Sequence, residues 1–74
     1  MVEPGIYQHY KGGKYLVTGH ALFESTQEPM VIYEALYDNP VSKVWVRPEK
    51  EFTQNIEVDG QTVRRYKFIG EHGT

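Results

Sequence analysis

Turn residues cut this chain into pieces too short for a helical core. Lys11-Gly12-Gly13-Lys14, Glu24 to Pro29, Asp38-Asn39-Pro40, Pro48 and Asp59-Gly60 recur along its 74 residues. Each breaks regular structure for its own reason. Paired glycines reach positive φ without steric cost, Asp and Asn side chains bond their own backbone, and proline cannot donate to a ladder. The runs between them are rich in Val, Ile, Tyr, Phe and Trp, which fit a half-buried pleated surface. Short runs of that kind between closely spaced turns point to an all-β fold.

Gly5 to Tyr10 reads as a first strand after a loose Met1 to Pro4. Tyr15 to Phe23 is a second, and Gly19 within it marks a bulge or tight bend. Glu24 to Pro29 is a polar loop, joining the two long strands as a wide hairpin. Met30 to Tyr37 is apolar on both faces and therefore a central strand. In Lys43 to Arg47, Val44 and Val46 share one face while Trp45 and Arg47 share the other. Pro48 ends that strand and occupies the first position of one helical turn reaching Gln54. Ile56 to Val58 and Thr62 to Ile69 flank Asp59-Gly60, a two-residue hairpin signal. Gly70 to Thr74 is expected to fray. Small all-β chains protect their edges by closing or rolling up. The expected fold is a small SH3-like barrel or roll of about five to six short antiparallel strands, with one short helical turn after Pro48. An OB-type barrel competes, but needs more residues and a real helix.

The length allows one domain, 1–74, with its core over about residues 5–69. A chain this small buries only about 60% of its unfolded surface. Cysteine is absent, so no disulfide or thiolate metal site can staple it. Six Tyr, three Phe and one Trp must supply much of the buried area. The net charge of −2 disfavours a strongly electrostatic nucleic-acid binder, though a local basic patch remains open. No apolar stretch is long enough to span a membrane and no charged-then-apolar leader is present, so the expectation is a cytoplasmic domain.

Three segments together carry a family resemblance. They are Gly5-Ile6-Tyr7-Gln8-His9-Tyr10-Lys11-Gly12-Gly13-Lys14-Tyr15, Val31-Ile32-Tyr33-Glu34-Ala35-Leu36-Tyr37, and Val44-Trp45-Val46-Arg47-Pro48 followed by Phe52. Their joint spacing resembles the bacterial domain of unknown function 1653 family, from about Gly5 to Phe68. The resemblance implies a small SH3-like barrel and no activity. One departure stands out: Phe23-Glu24-Ser25 replaces the short His-Ser-Glu stretch of the family pattern, so any site that relied on that histidine is in doubt here.

Candidate chemistry is sparse. His9, His20 and His72 show no metal-ligand spacing, and structural histidines are the favoured reading. Ser25 and Ser42 have no histidine beside them and read as turn hydroxyls. Glu49 and Glu51 read as decoration of the helical turn. Lys11-Gly12-Gly13-Lys14 is too short for a phosphate loop. No catalytic residue, cofactor or metal is assigned. On the last strand, Arg65 and Lys67 would share a face and Arg64 would join Tyr66 and Phe68, edge charges that discourage aggregation.

The aromatic and cationic set is the best remaining signal. Tyr7, His9, Tyr37, Trp45 and Arg47 would suit an exposed aromatic groove, with Tyr10 and Lys11 at the strand end entering the turn. For Tyr15 and Tyr33, core filling is favoured; for Trp45 and Arg47, groove and core readings balance. The set points to a non-catalytic binding module for a protein or peptide partner, with nucleic acid ranked below it. The alternative is a small-ligand protein or enzyme using His9, Tyr7 and Arg47. A homo-oligomer is a further possibility on which the sequence is silent.

Overall fold

A computed structural model describes residues 2–71 of the chain; His72 lies outside them. Seven strands and one short helix follow in order. They are β1 (Gly5–His9), β2 (Lys14–Phe23), β3 (Glu28–Ala35), β4 (Val44–Pro48), α1 (Glu49–Phe52), β5 (Asn55–Val58), β6 (Gln61–Arg64) and β7 (Tyr66–Gly70). A five-stranded antiparallel sheet runs β4-β3-β2-β1-β7, and β5 and β6 form a separate hairpin. The nearly all-β architecture matches the sequence expectation and is consistent with a rolled SH3-like arrangement. No helix among the described residues is long and apolar enough to cross a membrane.

Local chemistry accounts for the punctuation. Asp59 and Gly60 take φ of 52° and 80°, the two positive values that a tight hairpin turn needs. Asn39 Oδ1 accepts the Val41 and Ser42 backbone N–H groups and shapes the β3–β4 loop. The bulge falls where Gly19 marked it: Val17 pairs with Tyr33 and Gly19 with Ile32, leaving Thr18 as the extra residue. That insertion changes which side chains face inward. Val17 faces the core before it and His20 after it, opposite buried Val31.

Three expectations are corrected. Thr62 to Ile69 is not one strand: it breaks at Arg65 into β6, paired with β5, and β7, paired with β1. Long-range backbone bonds make the break, with Arg65 O accepting from Tyr10 N at 3.0 Å and Arg65 N donating to Gln54 O at 3.0 Å. Arg64, Arg65 and Lys67 therefore do not alternate along a single strand. Pro48 is the N-cap of α1 rather than its first residue, and still pairs with Met30 at the end of β4. The loop of residues 24–29 narrows to a turn, because Glu28 and Pro29 already belong to β3.

The core lies on one face of the sheet. Val2, Tyr7, Val17, Val31, Tyr33, Phe52 and Tyr66 form it, with Tyr15 and Trp45 packed against it. Phe52, delivered by α1, stacks on Tyr66 and meets Tyr7 and Tyr33 edge to face. Edge-to-face pairs of this kind add about 0.5–1.5 kcal/mol each beyond area burial. On the opposite face Val44 and Val46 stay exposed, across from Glu34 and Ile32.

Candidate functional site

β4 turns Trp45 and Arg47 to the core side of the sheet, opposite Tyr33 and Val31 of β3. The Trp45 indole Nε1–H donates to Ser42 O at 3.0 Å, tying the ring to the β3–β4 loop. Arg47 is held on three sides. Its Nε donates to the Tyr33 hydroxyl at 3.5 Å and its Nη1 to Glu51 Oε1 at 3.4 Å, while its guanidinium carbon lies 5.8 Å from the centre of the Tyr66 ring. Tyr66 Oη–H in turn donates to Tyr33 Oη at 3.4 Å.

His9 reaches the same place from β1, where it pairs with Tyr66 of β7. Its ring meets the Tyr66 ring edge to face at 4.9 Å and lies 4.5 Å from Tyr10. The Lys11 backbone N–H donates to His9 Nδ1 at 3.2 Å, so neutral His9 carries its proton on Nε2. Partial burial holds the His9 pKa below the ordinary 6.5, and the cationic Arg47, Arg65 and Lys11 push the same way.

A cleft of about 270 Å³ results, lined by His9, Tyr15, Tyr33, Trp45, Arg47 and Tyr66, with Asn39 completing it. Two of its tyrosines, Tyr15 and Tyr66, are held as neutral hydroxyls. Burial and a hydrogen bond with Tyr37 push Tyr15 up to about 12, and burial raises Tyr66 as well. The lining residues hold no carboxylate and no serine or threonine hydroxyl. The Arg47 guanidinium already covers Tyr66, so the cation–π position at that ring is filled from within.

Of the residues singled out in the sequence, His9, Trp45 and Arg47 meet in the cleft. Tyr37 stands just behind it: its hydroxyl shares a 2.6 Å hydrogen bond with Tyr15 and accepts from Asn39 Nδ2 at 3.2 Å. Tyr10 and Lys11 lie on the far side of His9, with Lys11 Nζ 5.8 Å from the Tyr10 ring centre. Tyr7 departs from the expectation of an exposed position. It is 8% exposed, its ring is wedged against Phe52 and Phe68, and its hydroxyl donates to Glu3 O. Tyr15 and Tyr33 do pack with the core, and they also present their rings and hydroxyls to the cleft. Tyr66 and Asn39 were not read as site residues. Asn39 carried only its turn signal, and Tyr66 is brought to His9 by pairing between the two ends of the chain.

The remaining candidates fall elsewhere. His20 Nε2 lies 3.9 Å from Glu49 Oε2, which accepts the Val2 backbone N–H. Among the described residues no group of three or more His, Asp or Glu side chains is gathered for a metal ion. Ser42 Oγ donates to Val44 O and helps hold the loop.

The comparisons agree with this architecture. A crystal structure of a protein of the same family from Bordetella bronchiseptica superposes with a TM-score of 0.89 at 27% identity, covering 99% of this chain and 94% of that one. No curated protein matches the chain. The family model described as a protein of unknown function (DUF1653) matches residues 5–68, and the chain belongs to that family.

Proposed function

We propose that the chain is a non-catalytic binding module whose His9–Arg47 cleft takes an acidic group of a protein or peptide partner. One observation carries the reading: Arg47 faces the core side of the sheet among four aromatic rings, where an apolar residue would fill the space at lower desolvation cost. Among the described residues the carboxylate within 4 Å of it is Glu51, itself about half exposed. Hydroxyl, indole and guanidinium groups around it supply donors and aromatic walls, the usual composition of a recognition pocket. Protein ranks above nucleic acid because the chain as a whole carries a net charge of −2.

The lowered His9 pKa favours a second reading, a small anionic ligand bound alone in the same cleft. Trp45 is the chain's single tryptophan and lines the cleft, so its fluorescence reports occupancy directly. Titration with an aspartate-containing peptide should change Trp45 emission, and Arg47→Gln should weaken that response about tenfold or more. An unchanged response in Arg47→Gln, with the fold intact, rejects the proposal. A response to free dicarboxylates as strong as to the peptide moves the assignment to the small-ligand reading.

A further inference from the structure

We infer that the groove next to the cleft is the second half of the same site and receives an apolar side chain, so that the partner is a peptide segment in which acidic and aliphatic residues lie side by side. This rests on the acidic-group reading above and adds what the rest of the ligand must be. The groove holds about 570 Å³ between β1, the β5–β6 hairpin and β7. Tyr10, Val58 and Val63 give it an apolar surface, and Arg64 and Lys67 give it charge. His9 lines both the groove and the cleft, so the two adjoin at a single ring.

Charge complementarity identifies the occupant. Glu28, Glu34, Glu49 and Glu51 lie within 4 Å of Lys50, Lys43, His20 and Arg47 respectively. Among the described residues no carboxylate lies within that distance of Lys11, Arg64, Arg65 or Lys67. Apart from Lys14 of β2, the cations so left are those near His9: Arg64 and Lys67 line the groove with it, and Arg65 and Lys11 act on its charge, although the chain as a whole is acidic. The Glu57 and Asp59 carboxylates of the hairpin do not line the groove. A nucleic-acid strand would need a row of faces for its bases; the rings lining the groove are Tyr10 and His9, and the aliphatic Val58 and Val63 offer none. An aliphatic side chain flanked by carboxylates satisfies both the apolar surface and the cations.

Three peptides test this by amide NMR on the full chain: acetyl-Gly-Asp-Leu-Asp-Leu-Gly-amide, the same peptide with serine for leucine, and the same with asparagine for aspartate. The leucine–aspartate peptide should shift Tyr10, Gly12, Val58 and Val63 together with His9 and Trp45. It should bind about tenfold tighter than the serine peptide. The asparagine peptide should bind more weakly than either. Val63→Ser and, independently, Val58→Ser should remove the leucine advantage, so that the leucine and serine peptides bind these variants alike. Shifts confined to the cleft, with equal affinity for leucine and serine peptides, overturn this inference and leave the acidic-group reading standing. No shift in the cleft with any of the three overturns both. Tighter binding of oligothymidylate than of the leucine–aspartate peptide, falling steeply with salt, overturns the peptide assignment.

Discussion

The rings of Phe52 and Tyr66 stack face to face, 4.1 Å between centroids and 2° from parallel. One comes from the short helix and the other from the edge strand that pairs with β1. The stack therefore joins the middle of the chain to its end, and it supports Tyr66 beneath Arg47. Phe52→Ala removes a ring that is 1% exposed and should cost about 3–5 kcal/mol. Small domains have a total stability of about 5–15 kcal/mol, so this variant should show a much lower urea midpoint or no cooperative transition. Phe52→Leu keeps most of the volume and should cost only about 1.5 kcal/mol.

Two glycines should respond oppositely to alanine. A Cβ on Gly5 would lie 2.7 Å from a Phe68 ring carbon and 2.8 Å from the Gly70 carbonyl oxygen, at a φ of +145°. The carbonyl belongs to the paired backbone of β7 and cannot swing aside. Gly5→Ala should therefore destabilise by about 1–3 kcal/mol. At Gly19 a Cβ meets nothing within 4 Å and φ is not positive. Gly19→Ala should leave stability unchanged or raise it by about 0.5 kcal/mol. Urea denaturation of the two variants side by side checks the contrast.

His9 should titrate below its ordinary 6.5, first because it is partly buried and then because Arg47, Arg65 and Lys11 repel its proton. A histidine with a depressed folded pKa binds fewer protons folded than unfolded. Its contribution to stability is complete above about pH 6.5 and is lost as the pH falls through the folded value. Arg47→Gln should move the His9 pKa upward, and an acidic peptide in the cleft should do the same. Imidazole proton NMR follows both shifts; a His9 pKa unmoved by Arg47→Gln would separate the two residues electrostatically.

The alkaline side has the opposite sign. Burial, and then the hydrogen bond to Tyr37, push Tyr15 up to about 12 from 10.0. A tyrosine raised in this way stabilises the fold fully below pH 10 and loses that contribution as the pH climbs toward 12. Tyr37→Phe removes the 2.6 Å hydroxyl contact and should bring the Tyr15 pKa down without returning it to 10.0, because burial remains. Ring-carbon NMR of labelled tyrosine measures the change.

Local chemistry made most of the fold legible. Asp59-Gly60 announced its hairpin because both residues tolerate positive φ, and Gly19 announced the bulge at Thr18. Two-residue alternation placed Trp45 with Arg47 and Tyr7 with His9 on shared faces. It could not say how deep each face lies. Tyr7 sits where Phe52 and Phe68 close over it, whereas His9, two residues on, sits at an opening. The break at Arg65 was hidden for a related reason: no turn residue marks it, and the bonds that make it come from Gln54 and Tyr10. Three of the seven residues lining the cleft could be named in advance, since Trp45, Arg47 and His9 carry charge and aromatic character in single short segments. Tyr66 and Asn39 join them only through pairing and loop packing between distant parts of the chain.

The most direct test of the central claim is a two-dimensional amide NMR titration of the wild-type chain and of Arg47→Gln with acetyl-Gly-Asp-Leu-Asp-Leu-Gly-amide. An acid-binding cleft predicts saturable shifts at His9, Asn39, Arg47 and the Trp45 indole in the wild type, weakened about tenfold or more in Arg47→Gln. Shifts that map instead to Ile32, Val44 and Val46 on the outer face of the sheet, or that persist unchanged in Arg47→Gln, would contradict it.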